Sequence, residues 1–191
     1  MILSDLDIKK YIEEGKIKIE PSPDFEKQLG PCSLDMHLGN EFRIFKPSNY
    51  SFIDVRKSKS SEESMEEFFI EDDCPFIIQP REFVIAVTKE NIILPDSLMG
   101  RLDGRSSLGR IGLVVHSTAA RFDPGWHGKA VMEFGNMSVR PIILYPGMRI
   151  CAMTFETLSS PAEIIYTKQK DHKYAGQQGA VGSRLSEEPK S

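Results

Sequence analysis

From residue 83 onward the chain is a series of short apolar runs separated by turn formers, and no long helical pattern follows residue 75. Two of the turns are Asp123-Pro124-Gly125 and Tyr145-Pro146-Gly147. Proline presets φ in such turns, and glycine can adopt the positive φ that a type II turn needs. The pattern predicts a mainly β protein folded as a sandwich, a barrel or a jelly-roll-like body, with strands within 83–88, 92–94, 113–115, 130–132, 142–145 and 150–153.

The N-terminal residues carry the only helical signal that stands out. Ser4 followed by Asp7 resembles a capping box, the apolar residues that follow have partial helical spacing, and Gly15 is a suitable end. One short N-terminal helix is therefore predicted. From there to about residue 50 the sequence is typical of strands and loops.

Two further segments stand apart in composition. Residues 51–73 hold three positive and eight negative charges, which indicates a solvated excursion with room for a helical turn. Residues 166–191 lose strand character, as in a mobile tail or a lid. Because no linker or internal repeat separates other parts, residues 1–191 are predicted to form one domain.

Composition excludes several classes of protein. The 191 residues carry 24 Lys and Arg against 28 Asp and Glu, a net charge of −4, which argues against binding along a nucleic-acid backbone. Cys32, Cys74 and Cys151 are too few and too scattered for a disulfide framework, so a reducing compartment, the cytoplasm, is expected. No apolar run approaches the roughly 18 residues of a membrane span.

The middle of this acidic chain is basic. Residues 99–149 contain seven Arg or Lys and three acids. Within them, residues 104–110 combine small residues, two hydroxyls and two arginines whose forked donors match phosphate oxygens. The segment is interpreted as a phosphate cradle, although its spacing is not that of a P-loop and a plain surface loop has the same composition.

Glu133 is the candidate for proton transfer. Strand alternation places it on the same face as Val131, so its carboxylate is expected to be partly removed from water. A structural ion pair with a nearby arginine is the alternative. The Asp123 side chain is suited to accepting a hydrogen bond from a sugar hydroxyl or to forming an Asx-type turn. Trp126 is expected to be a packed aromatic residue. The four histidines are too scattered to suggest a metal site; they are residues 37, 116, 127 and 172.

Several motifs in a fixed order resemble dCTP deaminase of the trimeric dUTPase-like superfamily. They are LDGRSSLGR at 102–110, VHSTA at 115–119, FDPGWHG at 122–128, VMEF at 131–134 and YPGM at 145–148. The resemblance extends to residues 32–35 and 38–39 near the front, and to Tyr166, 173–174 and 177–184 in the tail. It therefore covers nearly the whole chain.

The resemblance implies a dUTPase-like β-clip, a distorted jelly-roll-like barrel with a short N-terminal helix and a C-terminal lid segment. It also implies a homotrimer with active sites between subunits. The implied reaction is hydrolytic deamination of dCTP to dUTP and ammonia, with Mg²⁺ bound through the substrate triphosphate and dTTP as a possible feedback inhibitor. No nucleic acid or membrane partner is implied.

The same resemblance assigns roles residue by residue. Glu133 matches the catalytic general base and acid, Ser106 and Arg110 the polar pair beside it, and the Ala119 carbonyl the group that orients water. The implied phosphate loop is Arg105, Ser106, Ser107, Leu108, Gly109 and Arg110. The implied contacts to the base are Val131, Met132 and Glu133, and those to sugar and phosphates are Asp123, Tyr166, Lys173 and Gln177.

The residues agree with the resemblance on one point. Zinc base deaminases carry H-x-E and C-x-x-C motifs, and this chain has neither, so a carboxylate must activate water without zinc. The rivals are a dUTPase, a bifunctional enzyme that forms dUMP and pyrophosphate, and a non-catalytic nucleotide-binding module. The bifunctional members of the family tend to carry Ala-Gly-Phe where this chain has Ala-Arg-Phe at 120–122, so the resemblance favours the single-activity deaminase.

Overall fold

The computed structural model describes residues 1–47, 53, 64–170 and 172–185. The three helices in these ranges are α1 (Asp5–Glu13), α2 (Phe25–Gln28) and α3 (Ser106–Gly109), with a 3-10 turn at Tyr166–Lys168. The strands are β1 (Lys18–Glu20), β2 (Leu34–Phe45), β3 (Met65–Phe69), β4 (Phe76–Ile78), β5 (Phe83–Ile93), β6 (Leu98–Gly104), β7 (Leu113–Val114), β8 (Arg121–Phe122), β9 (His127–Asn136), β10 (Ile142–Leu144) and β11 (Arg149–Thr157). The predicted mainly β class is confirmed.

One sheet in the described residues runs in the order β7-β9-β5-β2-β11-β6-β8 and curls into a half-barrel. β1 pairs with β5, β3 pairs with β2, and β4 with β10 forms a separate two-stranded ribbon. The fully buried side chains of the core include Phe42, Phe134 and Phe155. No helix in the described ranges has the length and apolar character needed to cross a bilayer.

The N-terminal helix begins and ends where the sequence predicts. The Ser4 hydroxyl caps α1 by accepting from the Asp7 main-chain N–H at 3.4 Å, and Ile8 is fully buried against the core. After α1 ends, Gly15 has φ of +70°, a conformation that costs glycine little.

Both predicted Pro–Gly turns are also present. Gly125 and Gly147 have φ of +79° and +81°. The main-chain N–H of Trp126 donates to the Asp123 carbonyl at 3.0 Å, which closes the first turn next to the start of β9.

The acidic segment is not wholly a solvated excursion. Residues 65–69 form β3, which pairs antiparallel with residues 41–45 of β2, and Met65 is buried. Main-chain pairing with the distant strand β2 stabilises β3. The charged side chains of this segment therefore did not indicate a strand. The rest of the segment up to residue 63, apart from Ile53, lies outside the described residues.

Two predicted strands, 83–88 and 92–94, belong to the single strand β5. The polar residues between them continue the strand because Glu90, only 1% exposed, has partners inside the protein. Its carboxylate lies 2.6 Å from Nδ1 of His37 and accepts the His37 main-chain N–H at 2.9 Å.

The three thiols differ in their surroundings, which gives a direct test of the fold. Cys32 and Cys74 are exposed, whereas Cys151 is fully buried in β11, and burial raises the pKa of its thiol well above the ordinary value. In the native protein we expect two thiols to react rapidly with Ellman's reagent and Cys151 to react at least about a hundredfold more slowly. Three equally fast thiols would contradict the position of β11 in the core.

Candidate active site

A cavity of about 630 Å³ opens on the face of β9 that points away from the core. β9 alternates strictly, with its buried side chains packed inward and Val131 and Glu133 turned toward the cavity. The loop before β8 and the C-terminal residues complete the walls. The lining residues are Phe45, Met65, Phe83, Ile85, His116, Ala119, Arg121, Phe122, Asp123, Trp126, Val131, Glu133, Tyr166, Tyr174, Gln177, Val181, Gly182 and Ser183.

Glu133 is half-buried in the cavity wall and is held by a neighbouring loop. The main-chain N–H of Ser117 donates to its Oε2 at 3.3 Å, and the Ser117 hydroxyl donates to its main-chain carbonyl at 3.4 Å. Within the described residues no cation forms an ion pair with Glu133, so the alternative of a structural ion pair is not observed there. The carboxylate is thus oriented by a main-chain N–H of the neighbouring loop.

Asp123 lies at the turn into β9 and contributes to the cavity wall. Its carboxylate is paired with Nε of Arg121 at 2.7 Å, and the turn itself is closed through its main-chain carbonyl. The side chain is therefore held by Arg121 at the cavity wall, while the main chain forms the turn.

Trp126 is packed, as predicted, and it also lines the cavity. Its ring makes an edge contact with Phe122 at 5.0 Å between centroids and lies 5.4 Å from Tyr166. The buried indole Nε1 has no hydrogen-bond partner among the described residues. A buried donor of this kind is costly unless a ligand or water accepts from it.

The C-terminal segment 172–185 packs against β9 and covers one side of the cavity. Lys129 N–H donates to the Gln177 carbonyl at 2.9 Å, and the Gln177 amide Nε2 donates back to the Lys129 carbonyl at 3.0 Å. This close approach requires Gly128, which has φ of +134°, because a Cβ there would lie 2.7 Å from the Gln177 carbonyl oxygen.

The predicted phosphate loop is not part of this cavity within one chain. Residues 105–110 lie in and around α3, and none of them is among the described residues that line the cavity. Arg105 instead pairs with Asp35 at 3.5 Å and donates to the Arg149 carbonyl at 3.3 Å.

Some of the other predicted site residues line the cavity, and others do not. The structure brings together Ala119, Asp123, Val131, Glu133, Tyr166 and Gln177. Met132 is fully buried on the core side of β9, so only its main chain is available to a ligand. Lys173 does not line the cavity either, although its carbonyl accepts from the Arg184 guanidinium.

Sequence reasoning missed two residues of the site. Ser117 holds the carboxylate, and His116 lines the cavity with both ring nitrogens buried and without a partner in the described residues. Both lie in the VHSTA motif at 115–119. No pattern of charge or spacing marks them, so their position in that motif was the only available indication of a role.

Residues 2–158 match the sequence model of a family described as dCTP deaminase-like. The chain belongs to the dCTP deaminase-like family. The resemblance identified in the sequence is thereby confirmed.

Two curated relatives of this family match along almost their full length. The dCTP deaminase of Thermomicrobium roseum is 52% identical over 98% of this chain and 95% of its own length. The dUMP-forming dCTP deaminase of Dictyoglomus thermophilum is 50% identical over 97% of this chain and 95% of its own. Since relatives with both names match almost equally well, identity does not separate the two products.

A solved structure shows the same fold. The 2'-deoxycytidine 5'-triphosphate deaminase of Agrobacterium tumefaciens superposes with a TM-score of 0.63 at 21% identity, covering 82% of this chain and 48% of that longer chain. At this identity the match supports the fold of the dCTP deaminase-like family and nothing finer.

Proposed function

We propose that this protein is a dCTP deaminase that hydrolyses dCTP to dUTP and ammonia, a step in pyrimidine deoxynucleotide metabolism. The observation that carries the proposal is the half-buried Glu133, held by the Ser117 N–H in the wall of a cavity of about 630 Å³, in a chain 52% identical to a dCTP deaminase. A carboxylate in this setting can accept and return protons during the reaction.

In the proposed mechanism Glu133 takes a proton from water as the water oxygen attacks C4 of cytosine. It delivers that proton to N3, then takes the proton of the new C4 hydroxyl and passes it to the amine as the C4–N bond breaks, so that water and dCTP become dUTP and ammonia. The Ser117 N–H keeps the carboxylate aimed at the reacting atoms, and the Ala119 carbonyl orients the water. Val131 and the main chain of Met132 lie along the base.

The sugar is assigned to Asp123 and Tyr166, both in the cavity wall. Tyr166 packs on Trp126, and this aromatic wall excludes a ribose 2'-hydroxyl by its bulk. The triphosphate is assigned to Lys173 and Gln177 from the tail and to the 105–110 loop.

That loop lies outside the cavity of its own chain, which supports a homotrimer in which a neighbouring subunit supplies Arg105, Ser106 and Arg110 to each site. Ser107, Leu108 and Gly109 would contribute main-chain contacts. Mg²⁺ arrives on the triphosphate, whose oxygens suit this hard ion. The described residues offer no group of three metal-ligating side chains. A cytoplasmic location and inhibition by dTTP belong to the same proposal.

A second candidate is the bifunctional reaction that continues to dUMP and pyrophosphate. It is favoured by one observation, the dUMP-forming name of a relative 50% identical to this chain. Residues 120–122, Ala-Arg-Phe, favour release of dUTP, and Arg121 lines the cavity. The single-activity deaminase is therefore the proposal.

Incubation of the protein with dCTP and Mg²⁺ separates these functions. Ammonia release is followed in time and the nucleotides are resolved by ion-exchange chromatography, with CTP and dUTP as control substrates. We expect dUTP to accumulate in step with ammonia, without pyrophosphate. Release of dUMP and pyrophosphate would establish the bifunctional reaction instead, and dCTP binding without turnover would establish a non-catalytic module.

A further inference from the structure

Residues 176–183 of the C-terminal segment, called the closing segment below, are attached to the sheet at two separate places. Near its start, the Gly176 N–H donates to the His127 carbonyl at 2.8 Å, and Gln177 is bonded to Lys129. Further on, Ala180 is fully buried and belongs to a small apolar cluster with Met65, Ile85 and Val87, against which Val131 packs. Since Met65, Ile85 and Val131 also line the cavity, this cluster attaches the segment beside the cavity.

At the second attachment, Glu41 on β2 makes a polar contact with the segment. The half-buried carboxylate of Glu41 accepts the main-chain N–H of Ala180. The residue before Ala180 also lies close to this carboxylate. A Cβ added to Gly179 would be 2.6 Å from Oε2 of Glu41. Gly179 has no positive φ, so the Glu41 carboxylate is the feature that a side chain at this position would meet.

The surroundings of Glu41 disfavour the charged form of its side chain, so a carboxylate at this position does not serve to stabilise the sheet. Burial raises its pKa, and the adjacent carboxyl of Glu67 raises it further, while the Ala180 N–H and the Arg43 guanidinium act in the opposite direction. Arg43 is itself engaged by Glu67 at 2.8 Å. β2 and β3 pair through their main chains at this point, Glu41 opposite Phe69, and that pairing does not need the Glu41 side chain.

We propose that Glu41 is a positioning residue for the deamination, whose carboxylate holds residues 176–183 closed over the cavity. The proposal rests on the proposed function for its kinetic consequence, but the closure itself is a property of the free protein. Gln177 and residues 181–183 line the cavity only while this segment is docked, so Glu41 acts on the substrate through them.

The kinetic expectation is a rise in KM for dCTP with little change in kcat. If the closed state is less populated, apparent affinity falls by the same factor, whereas saturating substrate restores closure. For Glu41→Ala we expect KM to rise about tenfold or more, the effect of losing one hydrogen bond to a charged group. Glu41→Gln, which keeps an acceptor oxygen, should recover most of this loss. Glu66→Ala, an exposed neighbour on β3, is the matched control and should leave KM unchanged.

Hydrogen exchange tests closure without any activity. In substrate-free protein, the amides of residues 176–185 should exchange about tenfold faster in Glu41→Ala than in wild type, and at the wild-type rate in Glu66→Ala. Unchanged exchange in Glu41→Ala would overturn the proposal even if dCTP is deaminated. Faster exchange in a protein that does not deaminate dCTP would overturn the proposed function while leaving the closure intact.

A double variant separates a specific contact from general destabilisation. Gly179→Ala should raise KM in the wild-type background, since its Cβ meets the Glu41 carboxylate, but should have almost no further effect in Glu41→Ala, where that space is vacated. Additive effects of the two substitutions would overturn the proposal. The melting temperatures of all variants identify any that fail to fold.

Discussion

Replacing Glu133 by glutamine is expected to abolish measurable deamination of dCTP, lowering kcat by roughly a thousandfold or more, within the range attributed to general acid-base catalysis. Glutamine has nearly the same shape and keeps an acceptor for the Ser117 N–H, so the strand and the cavity should be unchanged. It cannot accept a proton from water or return one to the leaving amine. The measurement is steady-state ammonia release together with the dissociation constant for dCTP by calorimetry.

The dissociation constant should stay within about threefold of wild type, because the substitution removes a proton carrier rather than the cavity. Glu163→Gln, an exposed position outside the cavity, is the control and should retain full activity. A Glu133→Gln protein that deaminates dCTP at near the wild-type rate would remove Glu133 from the mechanism and the proposed function would lose its main support.

Two inactive variants are expected to restore activity to each other. Glu133→Gln lacks the proton carrier, and Arg110→Ala lacks a phosphate-loop cation, so each alone should be inactive or nearly so. If the loop of one subunit serves the cavity of its neighbour, mixed trimers contain sites with an intact Glu133 and an intact Arg110. With random mixing this holds for one site in four, so about a quarter of wild-type activity should return.

The experiment uses co-expression of the two variants with different affinity tags, and mass spectrometry of the intact assembly verifies mixing. A preparation made by mixing the separately assembled variants, without subunit exchange, is the control and should stay inactive. Verified mixed oligomers without recovered activity would place the loop and Glu133 in the same subunit's site and contradict the proposed arrangement.

Local patterns were enough for part of this molecule. Ser4 and Gly15 marked the ends of α1, and the Pro–Gly pairs marked two turns, because caps and turns depend on residues only a few positions apart. Glu133 was placed beside Val131 because the side chains of a strand alternate with a period of two. The resemblance to the dCTP deaminase-like family extended these predictions to the reaction.

The tertiary structure decided what depends on distant contacts. It made residues 65–69 a strand, buried Glu90 against His37, placed Ser117 on the Glu133 carboxylate, and separated the 105–110 loop from the cavity. It also joined Glu41 to Ala180, which lies 139 residues further along the chain. The sequence determined the N-terminal helix, the two Pro–Gly turns and the chemistry of the candidate residues, since these are local properties. Which residues meet depended on how the sheet curls and pairs, since contacts between distant segments leave no periodic pattern in either segment.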